Sequence, residues 1–410
     1  MVKIIAIGFL LGASVACTSS PQTQANARIK DSLTNEINGI YQQGQFNGFA
    51  VAIVNANGTL YQQGFGFADV KAARPYTQNT IQNIASISKT FVGIALLKAQ
   101  EMGKLQLDEP INKYLPFKVE NPYYPTAAIT IRQLATHTST IVDNEFYFSK
   151  DYYLKPNQNL TGLKLVFDDT QVFNPYDSIV PLRTFLQQML TATGKWYKKE
   201  GFLQKQPGEQ YEYSNTATTL AAYIIEQATG IPFNQFTATY ILNPLQMNAS
   251  GWRFEDVDFS NYSHLYENPK TELPFYSMIS YPDGNFITSI HDLSKYLTEL
   301  IKGYEGHGTI LTKESYSEFY KQQLSSRHFI ERNESNPYSE SFNVGIFIGF
   351  GYTGYIGHTG GDPGVCSIMF FDPVTKTGRL LVINTSINNK AGNDAFYGIW
   401  NKLEKYQGKL

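Results

Sequence analysis

The stretch that decides the fold is Phe49-Ala50-Val51-Ala52-Ile53-Val54, followed by Asn57-Gly58 and then by residues 60–67. Both apolar runs are rich in β-branched and aromatic residues, and an Asn-Gly pair between two such runs indicates a tight β-hairpin. Three more strand-like runs lie near the far end of the chain, at residues 343–348, 365–371 and 379–384. Strands near both ends, with helix-like segments between them, indicate one sheet built from the two ends of the chain.

Two helices are expected to flank this sheet, one over residues 30–43 and one near the end of the chain. Their apolar residues recur at helical spacing: Leu33, Ile37, Ile40 and Tyr41 in the first, and Phe396, Trp400 and Leu403 in the second. The predicted fold class is α/β (α+β), with an antiparallel sheet flanked by N- and C-terminal helices. We expect residues 29–99 and 340–410 to form this α/β domain, residues 100–339 to form a mostly helical inserted domain, and the active site to lie at the interface.

Composition excludes several classes of protein. The 410 residues carry 33 Lys and Arg against 35 Asp and Glu, a formal net charge of -2, so no global positive field exists to bind nucleic acid. Two cysteines are too few for a disulfide framework, and the 6 histidines show no metal-binding spacing. Residues 349–354 match G-x-G-x-x-G, but a strand-like segment follows instead of a helix, which favours a hairpin turn over a dinucleotide site. We therefore expect no metal and no cofactor.

The amino terminus is typical of a targeting segment. Residues 4–16 carry no charge and are too few to span a bilayer, so residues 1–16 are predicted to be a signal peptide. Cys17 directly follows Ser14-Val15-Ala16, as in bacterial lipoproteins whose cysteine is lipidated, although Ser14 stands where leucine is usual. Lipid anchoring at Cys17 and plain secretion both remain open. Either way the protein is exported, to the periplasm or cell envelope, and residues 17–28 are expected to be a tether.

The first chemical motif is Ser86-Ile87-Ser88-Lys89, which precedes an apolar run that reads as a buried helix ending near Gly103. On a helix Ser86 and Lys89 lie about 60° apart and can meet, whereas Ser88 lies about 100° from Lys89. A serine hydroxyl becomes a good nucleophile when a base takes its proton, and a buried neutral lysine can be that base. The alternative is a serine helix cap with a solvated lysine one turn later.

Two further motifs add polar groups. Tyr213-Ser214-Asn215 precedes an apolar run at residues 220–225, and a tyrosine there can relay a proton while the amide orients a substrate. The sequence Gly357-His358-Thr359-Gly360-Gly361 ends a strand-like run, where small residues let a substrate backbone approach closely. Taken alone, each motif is equally well explained by turn chemistry.

Together the three motifs resemble the beta-lactamase-like serine hydrolases, the superfamily of class C beta-lactamases, D-alanyl-D-alanine carboxypeptidases and related esterases. Residues 131–139, Ile-Arg-Gln-Leu-Ala-Thr-His-Thr-Ser, are similar to the family's Leu-Leu-Thr-His-Thr-Ser-Gly segment. Residues 107–111 and 114–116 are similar to the stretch that follows the nucleophile helix. The order of all these elements also matches, and the resemblance covers residues 30–405.

The resemblance implies a role for each matching residue. Ser86 would be the acylated nucleophile, with Lys89 and Tyr213 as the acid/base pair, and which of the two is the main base stays open. The backbone amides of Ser86 and Gly361 would form the oxyanion hole. The substrate-binding residues would be Asn215, His358, Thr359 and Gly360.

Two positions depart from the family pattern. His358 stands where class C beta-lactamases carry lysine, which removes a permanent cation that would attract a substrate carboxylate. Because the ordinary pKa of histidine is ~6.5, we expect the His358 imidazole to gain a positive charge as pH falls through that value. Thr140 stands where glycine is usual.

These features predict an exported serine acyl hydrolase that acts through an acyl-enzyme on a small-molecule or peptide substrate, as an esterase or a D-Ala-D-Ala carboxypeptidase-like enzyme. The alternatives are a class C-type beta-lactamase and a penicillin-binding or sensor lipoprotein that does not turn over. The only other expected partner is a membrane, reached through the lipid anchor on Cys17.

Overall fold

The computed structural model describes residues 21–167, 171–329, 345–350 and 354–410, which form thirteen strands and eleven α-helices. The strands are β1 Gly48–Asn55, β2 Gly58–Asp69, β3 Arg74–Pro75, β4 Ile81–Asn83, β5 Tyr152–Leu154, β6 Tyr266–Asn268, β7 Thr271–Glu272, β8 Tyr276–Met278, β9 Ile287–Ser289, β10 Gly349–Phe350, β11 Ile356–Asp362, β12 Val365–Asp372 and β13 Thr377–Ile383. The helices are α1 Pro21–Tyr41, α2 Ser88–Glu101, α3 Ile131–Ala135, α4 Glu145–Lys150, α5 Leu182–Leu190, α6 Asn215–Thr229, α7 Phe233–Thr237, α8 Tyr281–Gly284, α9 Ile290–Tyr304, α10 Lys313–Tyr320 and α11 Lys390–Gln407.

One antiparallel sheet contains seven strands in the order β10-β11-β12-β13-β1-β2-β3. The predicted hairpin is confirmed: β1 pairs with β2 across a turn at residues 56 and 57, and Gly58, which begins β2 opposite Asn55, has a φ of 125° that a residue with a side chain rarely adopts. β1 pairs with β13 on its other edge, with Phe49 opposite Ile383. The two ends of the chain therefore build one sheet, as the sequence predicted.

Helices cover both faces of the sheet, which explains why β1 is a continuous apolar run. Its odd-numbered residues Phe49, Val51 and Ile53 pack in a core with α1 and α11. Its even-numbered residues face the larger core, which includes α2 and α9. A strand buried on both faces needs no polar alternation. The prediction that N- and C-terminal helices flank the sheet is confirmed, with α1 and α11 packed together on the same face.

One predicted strand is wrong. Residues 345–348 form a buried, bent segment, and the strand begins only at β10, which pairs with Ile356 and Gly357. The backbone amide of Ile346 donates to the Phe319 carbonyl, and that of Phe347 donates to the Ala135 carbonyl. These partners lie on α10 and α3, so the segment is apolar because it is buried against helices. Residues 343 and 344 lie outside the described residues.

The predicted tether is wrong over its second part. Helix α1 begins at Pro21, so residues 21–28 are helical and continuous with the amphipathic segment predicted from residue 30. The predicted signal peptide, residues 17–20 and the candidate lipidation residue Cys17 lie outside the described residues.

Between α2 and β10 the chain forms helices α3–α10, short strands and long connections. β4 pairs with β9, which joins the segment before α2 to the segment before α9. In the part of the chain described here, no helix is both long and apolar enough to cross a membrane.

Candidate active site

Ser86 lies in a tight turn that precedes α2. Residues 85–87 form a single 3-10 turn, and Ala85 adopts a φ of +50°, which costs backbone strain in a residue with a side chain. The Ser367 hydroxyl donates to the Ile84 carbonyl at 2.7 Å, and the Ser88 hydroxyl donates to the Ala85 carbonyl at 2.6 Å. The turn is therefore held from the sheet and from α2, and it presents a partly exposed Ser86.

Lys89 is fully buried in the first turn of α2 and reaches back to Ser86. Its Nζ donates to Ser86 Oγ at 3.0 Å and to the backbone carbonyl of Asp283 at 2.7 Å. Burial lowers the pKa of the Lys89 amine, and nearby carboxylates, Asp283 foremost, partly oppose this shift. The structure thus brings together the serine and lysine that the sequence pairs, although Ser86 precedes the α-helix instead of beginning it.

Tyr213 completes a three-residue cluster. Its side chain hydrogen-bonds to Ser86, and its ring centroid lies 5.1 Å from Lys89 Nζ. Burial raises the pKa of Tyr213 well above its ordinary value, so the phenol stays protonated at neutral pH.

His137 holds Tyr213 in place. The amide of Ser214 donates to His137 Nδ1 at 3.1 Å, the amide of Glu212 donates to the His137 carbonyl at 2.8 Å, and the imidazole ring lies 4.6 Å from the Tyr213 ring. Burial and the neighbouring Lys89 lower the pKa of His137 well below its ordinary value. A neutral ring that accepts at Nδ1 carries its proton on Nε2.

Asn215 is the first residue of α6, and an aspartate that the sequence analysis missed fixes this helix start. Asp143 accepts hydrogen bonds from the amide of Asn215 at 2.9 Å and from the amide and hydroxyl of Thr216 at 2.8 and 2.7 Å. A carboxylate at a helix N-terminus satisfies unpaired amides and complements the helix dipole. The two residues are 72 positions apart, so no local pattern signals their contact.

Thr140, the departure from the family's glycine, has a φ of +73°. A glycine adopts this conformation without strain, which accounts for its usual presence there. Threonine is accommodated because its hydroxyl accepts from Asn121 Nδ2 at 2.9 Å and its carbonyl accepts from the Leu203 amide at 2.8 Å.

Strand β11 carries the third motif along one edge of the cluster. The His358 ring lies 6.3 Å from the Tyr213 ring, and its Nδ1 donates to the Thr359 carbonyl at 2.5 Å. Burial, reinforced by Lys89, lowers the pKa of His358 to about 4. The expectation of titration near pH 6.5 is therefore wrong, because the side chain is only 3% exposed and lies near another cation.

Gly360 on the same strand packs against the turn that carries Ser86. A Cβ at this position would lie 2.4 Å from the Ile84 carbonyl oxygen and 2.4 Å from Ser367 Oγ. The close contact that requires glycine at position 360 is therefore a contact with the turn that carries Ser86. Thr359 is partly exposed and Gly361 is exposed.

The acids around Lys89 were also missed by the sequence analysis. Asp283 on α8 is buried, and Asp362 at the end of β11 accepts from the Tyr152 hydroxyl at 2.8 Å. Burial raises the pKa of Asp283 to about 6 and that of Asp362 to about 7. In the described part of the chain, no group of three or more histidine, cysteine or acidic side chains could hold a metal ion.

A serine, a buried lysine and a tyrosine thus cluster beside strand β11 of the antiparallel sheet. The sequence model of the family described as "Beta-lactamase" matches residues 29–404, so the chain belongs to that family.

Similar proteins carry related descriptions. The chain is 25% identical over 261 residues to "Protein flp" of Staphylococcus aureus (strain MW2), covering 62% of this chain and 46% of that protein. It is 26% identical over 343 residues to "Penicillin-binding protein 4*" of Bacillus subtilis (strain 168), covering 79% of this chain and 65% of that protein. The chain thus spans about half to two thirds of the length of these relatives.

A solved structure shares the fold. The "Beta-lactamase/D-alanine Carboxypeptidase from Yersinia pestis complexed with citrate" superposes with a TM-score of 0.65 at 17% identity, covering 94% of this chain and 99% of that chain.

Proposed function

We propose that this protein is an exported serine acyl hydrolase that forms an acyl-enzyme on Ser86 and hydrolyses esters or D-amino-acid peptides. The observation that carries the proposal is the 3.0 Å contact between Ser86 Oγ and the fully buried Lys89 Nζ. Burial favours the neutral amine, which is the form that can accept the serine proton. The structural alternative, a helix cap beside a solvated lysine, does not fit a lysine without solvent exposure.

The proposed reaction has two halves. Ser86 Oγ attacks the substrate carbonyl carbon while its proton passes to Lys89, and the backbone amides of Ser86 and Gly361 hold the oxyanion. The bond to the leaving group then breaks, and the leaving group takes a proton through Lys89 or Tyr213. Water next attacks the acyl-enzyme, releases the acid and returns the proton to Ser86. Lys89 is the main base in this scheme because the raised pKa of Tyr213 leaves its phenol protonated.

Charge around the nucleophile favours substrates that lack a fixed carboxylate near the reacting carbonyl, which ranks esters above D-Ala-D-Ala peptides, whose terminal carboxylate lies beside the scissile bond. His358 is neutral at physiological pH, and the acids that act on Lys89 include Asp283 and Asp362. Asn215, Thr359 and Gly360 are proposed to contact the substrate alongside His358. The Yersinia pestis protein described as a D-alanine carboxypeptidase supports the peptide alternative at the level of fold. Beta-lactam hydrolysis is the competing activity, and a penicillin-binding sensor without turnover is the competing non-enzymatic role.

Export is part of the proposal. The uncharged segment at residues 4–16 and Cys17 directly after Ser14-Val15-Ala16 support a signal peptide and a lipid anchor in the cell envelope.

The test pairs two neighbouring serines. In protein lacking residues 1–20, Ser86→Ala should abolish both ester turnover and labelling by a fluorophosphonate probe. Ser88→Ala should keep labelling and lose stability, because the Ser88 hydroxyl holds the Ala85 carbonyl and accepts from the Phe286 amide at 3.1 Å. A dead Ser88→Ala with an active Ser86→Ala would refute the assignment.

A panel of a short-chain ester, a D-Ala-D-Ala peptide and a cephalosporin then identifies the substrate class. Efficient cephalosporin turnover would establish the beta-lactamase activity instead. A single stoichiometric burst with all three substrates would establish the sensor.

A further inference from the structure

A buried acidic residue, Asp283, contacts the active-site lysine and belongs to none of the three motifs. Asp283 lies on the one-turn helix α8 and is 1% exposed. Its backbone carbonyl accepts from Lys89 Nζ at 2.7 Å. Its carboxylate accepts from the Tyr147 hydroxyl at 3.1 Å to each oxygen and from the Thr219 hydroxyl at 2.7 Å. One buried residue thus joins α4, α6 and the catalytic lysine.

We propose that Asp283 is a positioning residue for acyl transfer. Its buried carboxylate, anchored by Tyr147 and Thr219, fixes the Asp283 backbone carbonyl that holds the Lys89 amine against Ser86. The same carboxylate supplies the negative charge that this amine needs to take up a proton. This inference rests on the proposed function of Ser86.

The anchoring pattern supports the positional part of the proposal. The two hydroxyl donors come from different helices, Tyr147 from α4 and Thr219 from α6, the helix that begins after Tyr213. A shift of α8 would therefore move the carbonyl that Lys89 contacts. A buried carboxylate without hydrogen bonds would cost several kcal/mol, so the donors are required for Asp283 to carry a charge there.

Charge supports the second part. Lys89 is desolvated, which opposes its protonated form, and attraction to Asp283 is the largest opposing effect. A base works best when its pKa lies near the operating pH, so a buried lysine without a counter-charge would be too weak a base. The titratable groups that act on this amine come from every surrounding element: His137, Asp143, Asp151, Tyr213, Asp283, His358 and Asp362.

The experiment measures the second-order rate of Ser86 labelling by a fluorophosphonate probe as a function of pH, together with thermal stability. Asp283→Asn keeps the shape and removes the charge. The acid limb of the profile is the pH range in which the labelling rate rises as Lys89 loses its proton. In Asp283→Asn we expect this limb to move to lower pH by about one unit and the plateau rate to fall several-fold, since the lysine becomes a weaker base.

Two further variants make the result specific. Thr219→Val removes the donor at 2.7 Å and should shift the limb in the same direction by less. Asp151→Asn is the matched control: Asp151 is also buried and accepts from the Ser280 amide and hydroxyl, but its effect on Lys89 is smaller than that of Asp283. Its limb should move less than that of either other variant.

Each outcome decides one question. A labelled wild type with an unmoved limb in Asp283→Asn overturns this inference, whether or not stability falls, because a merely structural role would lower stability without moving the limb. If Asp283→Asn fails to fold, an unmoved limb in Thr219→Val overturns it. A wild type that is not labelled at Ser86 removes the proposed function itself.

Discussion

Replacing Gly360 with alanine should damage catalysis more than it damages the fold. The new Cβ would lie 2.4 Å from the Ile84 carbonyl oxygen, 2.4 Å from Ser367 Oγ and 2.9 Å from the Ala85 Cβ. Ordinary contact needs about 1 Å more separation. Because Ile84 and Ala85 immediately precede Ser86, the strand and the nucleophile turn must move apart by that amount.

The expected magnitudes follow from this displacement. Overpacking of this kind costs about 1–3 kcal/mol of stability. A misplacement of about 1 Å at a reacting group can cost ~100-fold in rate, so kcat for a p-nitrophenyl ester should fall by about that factor while KM changes little. Steady-state kinetics and urea denaturation on the same preparation measure both effects.

Gly39→Ala is the matched control. Gly39 lies inside α1 and a Cβ there meets nothing within 4 Å, so alanine should leave kcat unchanged and stabilise the helix slightly. If Gly360→Ala kept full kcat, or if it lost kcat only in proportion to its unfolded fraction, the close contact between β11 and the turn would not position Ser86.

Three further predictions concern charge. Lys89→Arg should be as inactive in ester turnover as Lys89→Ala, because arginine stays protonated; an active arginine variant would make Tyr213 the base. His358→Gln should leave the pH dependence of the ratio of ester to cephalosporin kcat/KM unchanged from about pH 5.5 to 8, since the pKa of His358 is about 4 while Asp283 and Asp362 titrate in both proteins; a pH dependence that disappears in this variant would contradict burial of the imidazole. His358→Lys should lower the ratio mainly through the KM of the cephalosporin. Asp362→Asn should stabilise the protein by about 1–2 kcal/mol more at pH 8 than at pH 5 in urea denaturation, because the folded pKa of about 7 exceeds the unfolded value and stability is lost as pH rises through the folded pKa; equal effects at both pH values would refute this.

Local sequence patterns predicted the parts of the fold that depend on local signals. The Asn57-Gly58 hairpin, the strands β12 and β13 and the final helix α11 all follow from turn chemistry and apolar periodicity. The segment at residues 345–348 has a similar apolar pattern but forms its hydrogen bonds with α3 and α10. Those partners are distant in sequence, so burial alone could not distinguish a strand from a buried loop.

The same limit applies to the site. The short motif spacing placed Ser86 beside Lys89, and the order of motifs brought Tyr213 and His358 to the same cluster. Asp283 contacts Lys89 across 194 positions and belongs to no motif, so its place could not be read from sequence. The pKa of His358 was missed for a related reason, since desolvation depends on how completely other elements cover a side chain.

The pairing of β1 with β13 has a consequence for how the chain folds. The amide of Gly48 donates to Asn384 Oδ1, a contact that spans 336 positions. Contacts of such long range make folding slow, because the chain must close a very large loop before they form. Strand β1 cannot gain its second neighbour, β13, until nearly the whole chain has been synthesised. Loss of the last strand and helix would leave one edge of β1 unpaired and its face towards α1 partly uncovered, so even short C-terminal truncations should aggregate instead of folding into a smaller domain.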